Sequence, residues 1–561
     1  MALLQIALGL LVTWAVWAVI RKSQHRSPLD NVPGPTAASW FVGDLERFYG
    51  RHGWPFQKEL LSSYGPVVKF SAFFGSPMLY VYDPKALHHI VVKDQYIYEE
   101  TSIFIEWVFR SVVPLTVFLT DGCLLNSFNS LAFGDSLLSS LGERHRRQRK
   151  ILNPVFNTNH MRYMVPTFYR ITNQLRKALS NEVKDGQHEI DMLSWMTRAA
   201  LELVGQGGLG YSFDPLDRDW KNPFAEDLKA LVPTMSPYFF WMRFLPLVSW
   251  IGTAAFQRRV LEMLPLPSLQ RTIQIIDTME NKSKEILAQK RALLSQGDMA
   301  LEQQVGEGKD IMSVLLRENM QASGDEKMSD TELLGHMTAL IFAAMDTTSG
   351  ALAHILQVLS EHPDAQEKLR QEIKTARGDQ EYIEYDELMN LPYLEAVCRE
   401  TLRLYSPTTV MTRVTTKDVL MPLSTPLRGR DGTMMNELVV PEGTGIVIGI
   451  LAYNIDPAIW GPDAHLWKPE RWLEPLPGTV TNAHAPGIYS NLMTFLGGGR
   501  ACIGFKFAQL EMKAVLSVLL EHFKFSPSDK EVYWNWAGIQ FPTIGKESTE
   551  TKMPLRVELV H

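Results

Sequence analysis

Near the C-terminal end, Phe495-Leu496-Gly497-Gly498-Gly499-Arg500-Ala501-Cys502-Ile503-Gly504 runs directly into the apolar-periodic Phe505-Lys506-Phe507-Ala508-Gln509-Leu510. The consecutive glycines let the backbone turn tightly and come close to a flat partner, Arg500 places a fixed positive charge two residues before the cysteine, and a helix follows at once. A helix N-terminus and a neighbouring cation favour the charged form of sulfur, and N–H groups of such a loop can donate to it. For a single cysteine beside a glycine turn, the plain alternative is a buried structural thiol. The chain's other cysteines, Cys123 and Cys398, supply neither a disulfide framework nor zinc spacing.

All fixed positions of the pattern F-x-x-G-x-R-x-C-x-G are present, and the stretch resembles the haem-binding loop of the cytochrome P450 family, the haem-thiolate monooxygenases. The resemblance implies that Cys502 is the axial ligand of the haem iron, that Arg500 pairs with a haem propionate, that Phe495 packs beside the sulfur and that Gly498 brings the backbone close to the cofactor. It also implies a mainly α fold with small β sheets, the cytochrome P450 fold, with haem b as cofactor and electrons arriving from NADPH through a membrane-bound reductase.

Other motifs follow in the family's order. Residues 142–150 are densely basic and read as a helix ended by Asn153-Pro154. On charge alone this is a solvated face. By resemblance, His145 stands in the usual tryptophan position and Arg149 in the arginine position four residues on, both able to reach propionates from one helical face. The remaining basic residues offer a docking face for an acidic electron donor. Ser329 with Glu332 forms a capping-box pattern that opens a helix with apolar residues at Leu333, Met337, Leu340, Ile341 and Ala344. Within it lie Asp346 and Thr347. Read plainly, the threonine bonds back to the preceding turn and the aspartate pairs with a surface lysine. By resemblance they are the catalytic pair that relays protons to dioxygen, with Ala344 where the family has glycine.

Residues 391–404 read as a helix stopped by Pro407, and Glu400 and Arg403 share one of its faces. Alone the pair is an ordinary ion pair. With Arg471 of Pro469-Glu470-Arg471-Trp472, where Trp replaces the family's Phe, it implies a buried structural charge network. The resemblance further makes Arg413 a third propionate partner and Ala343, Val410, Met411 and Phe541 substrate contacts.

Residues 1–20 are uncharged and apolar enough to span about 30 Å of hydrocarbon, and the basic residues after them place the body on the cytosolic side. The expected organisation is a single-pass endoplasmic-reticulum anchor at 1–20, a basic and proline-rich linker at 21–60 with Val32-Pro33-Gly34-Pro35 as a stiff hinge, and a haem-binding body at 61–561. A cleaved signal peptide is the alternative for the first segment. Two β-rich runs at 67–71 and 78–82 read as a hairpin, and 439–450 as short strands of a second sheet. Residues 103–119 are apolar but interrupted by Glu106, Arg110 and Pro114, which argues against a second span. About 108–130 is surplus to the family pattern, as an insertion or retained intron. The aromatic run 238–251 suits core or membrane interface equally.

A net charge of −7 gives no concentrated basic surface and excludes nucleic acid as the main partner. Together these readings predict a monooxygenase that oxidises a lipophilic small molecule, a secondary metabolite such as a terpenoid by family analogy. A haem-thiolate isomerase or lyase, and a non-catalytic membrane-bound binding protein, are the alternatives.

Overall fold

The structure, a computed structural model, describes residues 27–100, 132–217, 222–236, 254–296, 307–324, 327–536 and 538–560. The expectations for 1–20, 108–130 and 238–251 lie outside those residues. The helices that frame the interior are α1 (Gly142–Leu152), α2 (Thr158–Glu182), α3 (Met192–Leu203), α4 (Pro223–Met235), α5 (Pro267–Gln296), α6 (Asp330–Glu361), α7 (Pro392–Leu404) and α8 (Phe505–His522). The architecture is mainly α with small sheets.

Helix α6 is the axis of the body. Ser329 Oγ accepts from Glu332 N while the Glu332 carboxylate accepts from Ser329 N, so the capping box satisfies two end groups reciprocally. Among the described residues it is the one helix long and apolar enough to cross a membrane, but 72% of its apolar window is buried inside the body, which marks a core helix. It packs against α3, α5, α7 and α8.

The main sheet is formed by β1 (Val67–Ser71), β2 (Pro77–Val81), β3 (Tyr98–Glu99), β4 (Val410–Thr415) and β5 (Gly445–Gly449), in the order β1-β2-β5-β4-β3. The β1–β2 hairpin forms as predicted, with Val67 opposite Val81. The run 439–450 departs from expectation. Its second half, β5, lies parallel to β2 and antiparallel to β4 inside this same sheet, and all five of its residues are buried. A strand covered on both faces loses the alternation that would mark a half-exposed sheet. A C-terminal hairpin pairs β6 (Val532–Asn535) with β7 (Phe541–Ile544).

The linker expectation for 21–60 is corrected from residue 27 onward. Leu29, Val32, Leu45, Phe48, Phe56 and Leu60 are buried in the main core. Lys69 N donates to Pro33 O at 2.8 Å, and a side chain at Gly34 would meet Lys69 O at 1.7 Å, so the Pro-Gly-Pro stretch is laid against β1. The prolines have no N–H to leave unpaired at that edge.

Buried apolar side chains form two clusters, one around the sheet, α2, α7 and α8, the other around α4, α5 and the first half of α6. Leu340 on α6 and Ile503 beside Cys502 pack against both. The two cores meet at a seam that includes both residues.

Candidate active site

The cysteine loop is fixed by its glycines. Gly498 sits at φ +64°, where a side chain would meet Val91 O at 1.7 Å; at Gly497 one would meet Pro486 O at 1.8 Å. The close approach at Gly498 is thus to the chain's own backbone. Gly499 N donates to Gln95 Oε1 at 2.7 Å, and Cys502 N donates to Phe495 O at 2.9 Å. The Phe495 ring packs edge-on against Tyr489 and Phe505, with centroids 5.5 and 5.0 Å away.

Cys502 has accessible surface, yet the protein packed around it raises its thiol pKa by burial, against the opposing pull of the Gly504 N–H and Arg149. Both observations hold when that surface faces an internal space rather than bulk water. Burial thus opposes the helix start and the cation, and a metal at the sulfur would favour its charged form.

At the seam, α6 is buried on most sides, but Leu340, Ala343, Ala344 and Thr347 keep partial exposure. Their spacing, i, i+3, i+4 and i+7, places them on one face. Thr347 Oγ1 donates to Ala343 O at 2.8 Å, the local back-bond of the plain reading. Asp346 is turned to α4, where Lys229 Nζ donates to its Oδ1 at 2.7 Å; both residues are buried, and the same ammonium reaches Ser349 Oγ at 3.3 Å. Sequence reasoning missed Lys229. The signal was present, a lysine inside the apolar stripe of Ala225, Leu228, Val232 and Met235.

Three guanidiniums and an imidazole gather beside the loop. Arg149 donates to Ala501 O. Arg500 donates to Ser140 O at 2.9 Å and lies 3.5 Å from Glu100 and 3.9 Å from Glu99. Arg413, 2% exposed, donates to Thr412 O at 2.7 Å and pairs with Glu100 at 3.1 Å. His145 is buried, and burial together with Arg500 and Arg149 pulls its pKa down to about 4, so at neutral pH it is an uncharged partner rather than a fourth cation. The outer side of this cluster opens into a cleft of about 730 Å³ whose lining includes Gln95, His145, Arg146, Arg149, Lys150 and Arg500.

The predicted charge network is assembled in full. Arg403 holds Glu400 through Nε at 2.9 Å and a terminal nitrogen at 2.8 Å, and also donates to the carbonyls of Asn454, Ala464 and Leu466. Arg471 reaches Glu400 at 3.4 Å. Trp472 Nε1 donates to Glu400 Oε2 at 2.9 Å, a contact that phenylalanine at this position lacks.

Of the expected substrate contacts, Val410 and Phe541 are buried, while Ala343 and Met411 are partly open. Thr408 bridges to Ile539 and Gln540 N donates to Pro407 O at 2.9 Å, which ties the start of β4 to the turn before β7.

The donor set fits a haem. The Cys502 thiol adjoins Ile503 at the seam, Arg149 and Arg500 lie beside its loop, and α6 brings a partly open apolar face to the same seam through Leu340. A model of the cytochrome P450 family matches residues 123–535. Cytochrome P450 monooxygenase 91 of Postia placenta is 51% identical over 98% of this chain and 97% of its own length. Ganoderic acid synthetase of Ganoderma lucidum is 44% identical over 97% and 96%, and cytochrome P450 monooxygenase eriI of Hericium erinaceus is 36% identical over 97% and 96%.

Proposed function

Since the chain belongs to the cytochrome P450 family of monooxygenases, with fungal relatives along its length, we propose that it inserts oxygen into a lipophilic small molecule, a secondary metabolite of the terpenoid class. The observation that carries this reading is that Ile503, next to Cys502, and Leu340, on the partly exposed Leu340–Ala343–Ala344–Thr347 side of α6, each pack against both cores.

When bound, haem b supplies the dioxygen chemistry and the electron-accepting centre that side chains lack. Cys502 holds it from the loop and gives up its thiol proton on ligation. Arg149, Arg413 and Arg500 seat the propionates, with neutral His145 as a hydrogen-bonding partner. Thr347 and Asp346 would form the proton path to dioxygen, Thr347 through a hydroxyl that here donates to Ala343 O and Asp346 through a side chain held by Lys229. Ala343, Val410, Met411 and Phe541 supply an apolar wall that excludes water and orients the substrate by shape. The relative named for ganoderic acid synthesis supports the substrate class.

The basic rim of Arg146, Arg149 and Lys150 suits an acidic NADPH-dependent reductase. Residues 1–20 supply a single-pass endoplasmic-reticulum anchor with the body in the cytosol, and 108–130 remain a proposed insertion or retained intron.

The test is spectroscopic. Reduced, carbon monoxide-treated protein shows the red-shifted thiolate Soret band, and Cys502→Ala abolishes it; a variant that keeps the band overturns the ligand assignment. Co-expression with a reductase and metabolite profiling then identifies the substrate.

A further inference from the structure

Strand β3 is two residues long and pairs only with β4, placing Tyr98 opposite Thr415 and Glu99 opposite Val414. Continuing that antiparallel register by one step sets Glu100 opposite Arg413. The side chains meet there: Glu100 Oε1 lies 3.1 Å from Arg413, and its other oxygen lies 3.5 Å from Arg500 of the cysteine loop. One carboxylate therefore joins the edge of the main sheet to the loop that carries Cys502.

We propose that Glu100 is a positioning residue of the haem site, which clamps the Arg413 and Arg500 guanidiniums from behind so that their remaining N–H groups converge on the propionates. The inference rests on the propionate role assigned above to these arginines. Arg413 is almost wholly buried, and apart from Glu100 it donates to the carbonyl of its own neighbour Thr412. Removing the carboxylate takes away the buried cation's nearest counter-charge, leaving only the more distant Glu99, and frees the guanidinium to turn. The arrangement parallels a metal-bound histidine oriented by an outer carboxylate: a group that does not touch the cofactor sets the direction of one that does. Glu100 also places a negative charge beside the cofactor's acidic edge and so opposes uptake of an electron.

The test uses full-length holoprotein carrying Glu100→Gln and Glu100→Asp. Haem loss is followed by transfer to excess apomyoglobin, and the midpoint potential by spectroelectrochemistry. Glu100→Gln speeds transfer about ten-fold or more, the size expected for one lost charge-assisted hydrogen bond, and shifts the potential upward. Glu100→Asp keeps the charge on a shorter arm and falls between the two, and it carries the test alone if the Gln variant does not accumulate with haem. Unchanged transfer and potential overturn the proposal. Slower transfer in Glu100→Gln also overturns it, because it means the carboxylate competes with the propionates for the arginines. A wild-type protein without the red-shifted carbon monoxide band sinks the haem-thiolate reading itself, whereas an intact band with unaltered variants sinks only the role of Glu100.

Discussion

Lys229 and Asp346 form the residue-scale feature with the clearest physical consequence. A lysine ammonium buried on the apolar stripe of α4 is tolerated because it lands 2.7 Å from a buried carboxylate on α6. Breaking such a pair is costlier than removing it, since one uncompensated charge stays in the interior. Lys229→Met is therefore expected to lower stability by about 3–5 kcal/mol, read as a lower urea midpoint. Lys229→Met combined with Asp346→Asn should recover most of that loss. A double variant whose loss equals the sum of the single losses would show that the two groups do not interact, and the Asp346 carboxylate would then need another partner.

At the scale of elements, the turn Pro469–Trp472 locks onto α7 through Glu400, which receives Arg403, Arg471, the Lys468 N–H and the Trp472 indole. Trp472→Phe should cost about 1–3 kcal/mol, the loss of one hydrogen bond to a charged acceptor. Arg403→Met should cost more and deplete holoprotein, since it removes two hydrogen bonds to Glu400 and leaves three carbonyls without their donor at once; equal effects of the two variants on thermal unfolding would argue against a network centred on Glu400. This network, the capping box of α6 and the β1–β2 hairpin were legible in the sequence because each is a local pattern with its own chemistry. Lys229 and Glu100 were not, because their meaning comes from partners brought in by the fold; Lys229 meets Asp346 across 117 residues of chain. The β5 strand was misassigned because full burial removed its alternation, and the desolvation that opposes ionisation of Cys502 is likewise invisible in a sequence, where only the local charges show.

For the molecule as a whole, buried titratable groups tilt stability in opposite directions with pH. His354 is stacked between Tyr405 and Trp534, with ring centroids 4.1 and 4.0 Å away, and burial lowers its pKa from 6.5 to about 3; burial likewise lowers His336 to about 4, against the pull of Glu332. As pH falls below 6.5 the unfolded chain takes up these protons and the folded chain does not, so each group withdraws up to about 1.4 kcal/mol of stability per pH unit until its folded value is reached. Glu511 on α8 acts in the other sense. Both its carboxylate oxygens are buried with no hydrogen-bond partner among the described residues, and burial raises its pKa well above 4.5. As pH rises past 4.5 the unfolded chain releases that proton while the folded chain retains it, and stability is lost on the neutral side. Unfolding free energies measured between pH 5 and 8 separate the two contributions. His354→Phe, which keeps a ring between Tyr405 and Trp534, should flatten the acid side of the profile, and Glu511→Gln should flatten the neutral side. Variant profiles that merely shift in parallel with the wild type would mean that neither group changes protonation on unfolding, and the acid sensitivity would then belong to the carboxylates held by arginine, such as Glu332, whose pKa hydrogen bonds from Gln148, Ser329 and Arg147 bring down to about 2 against its burial.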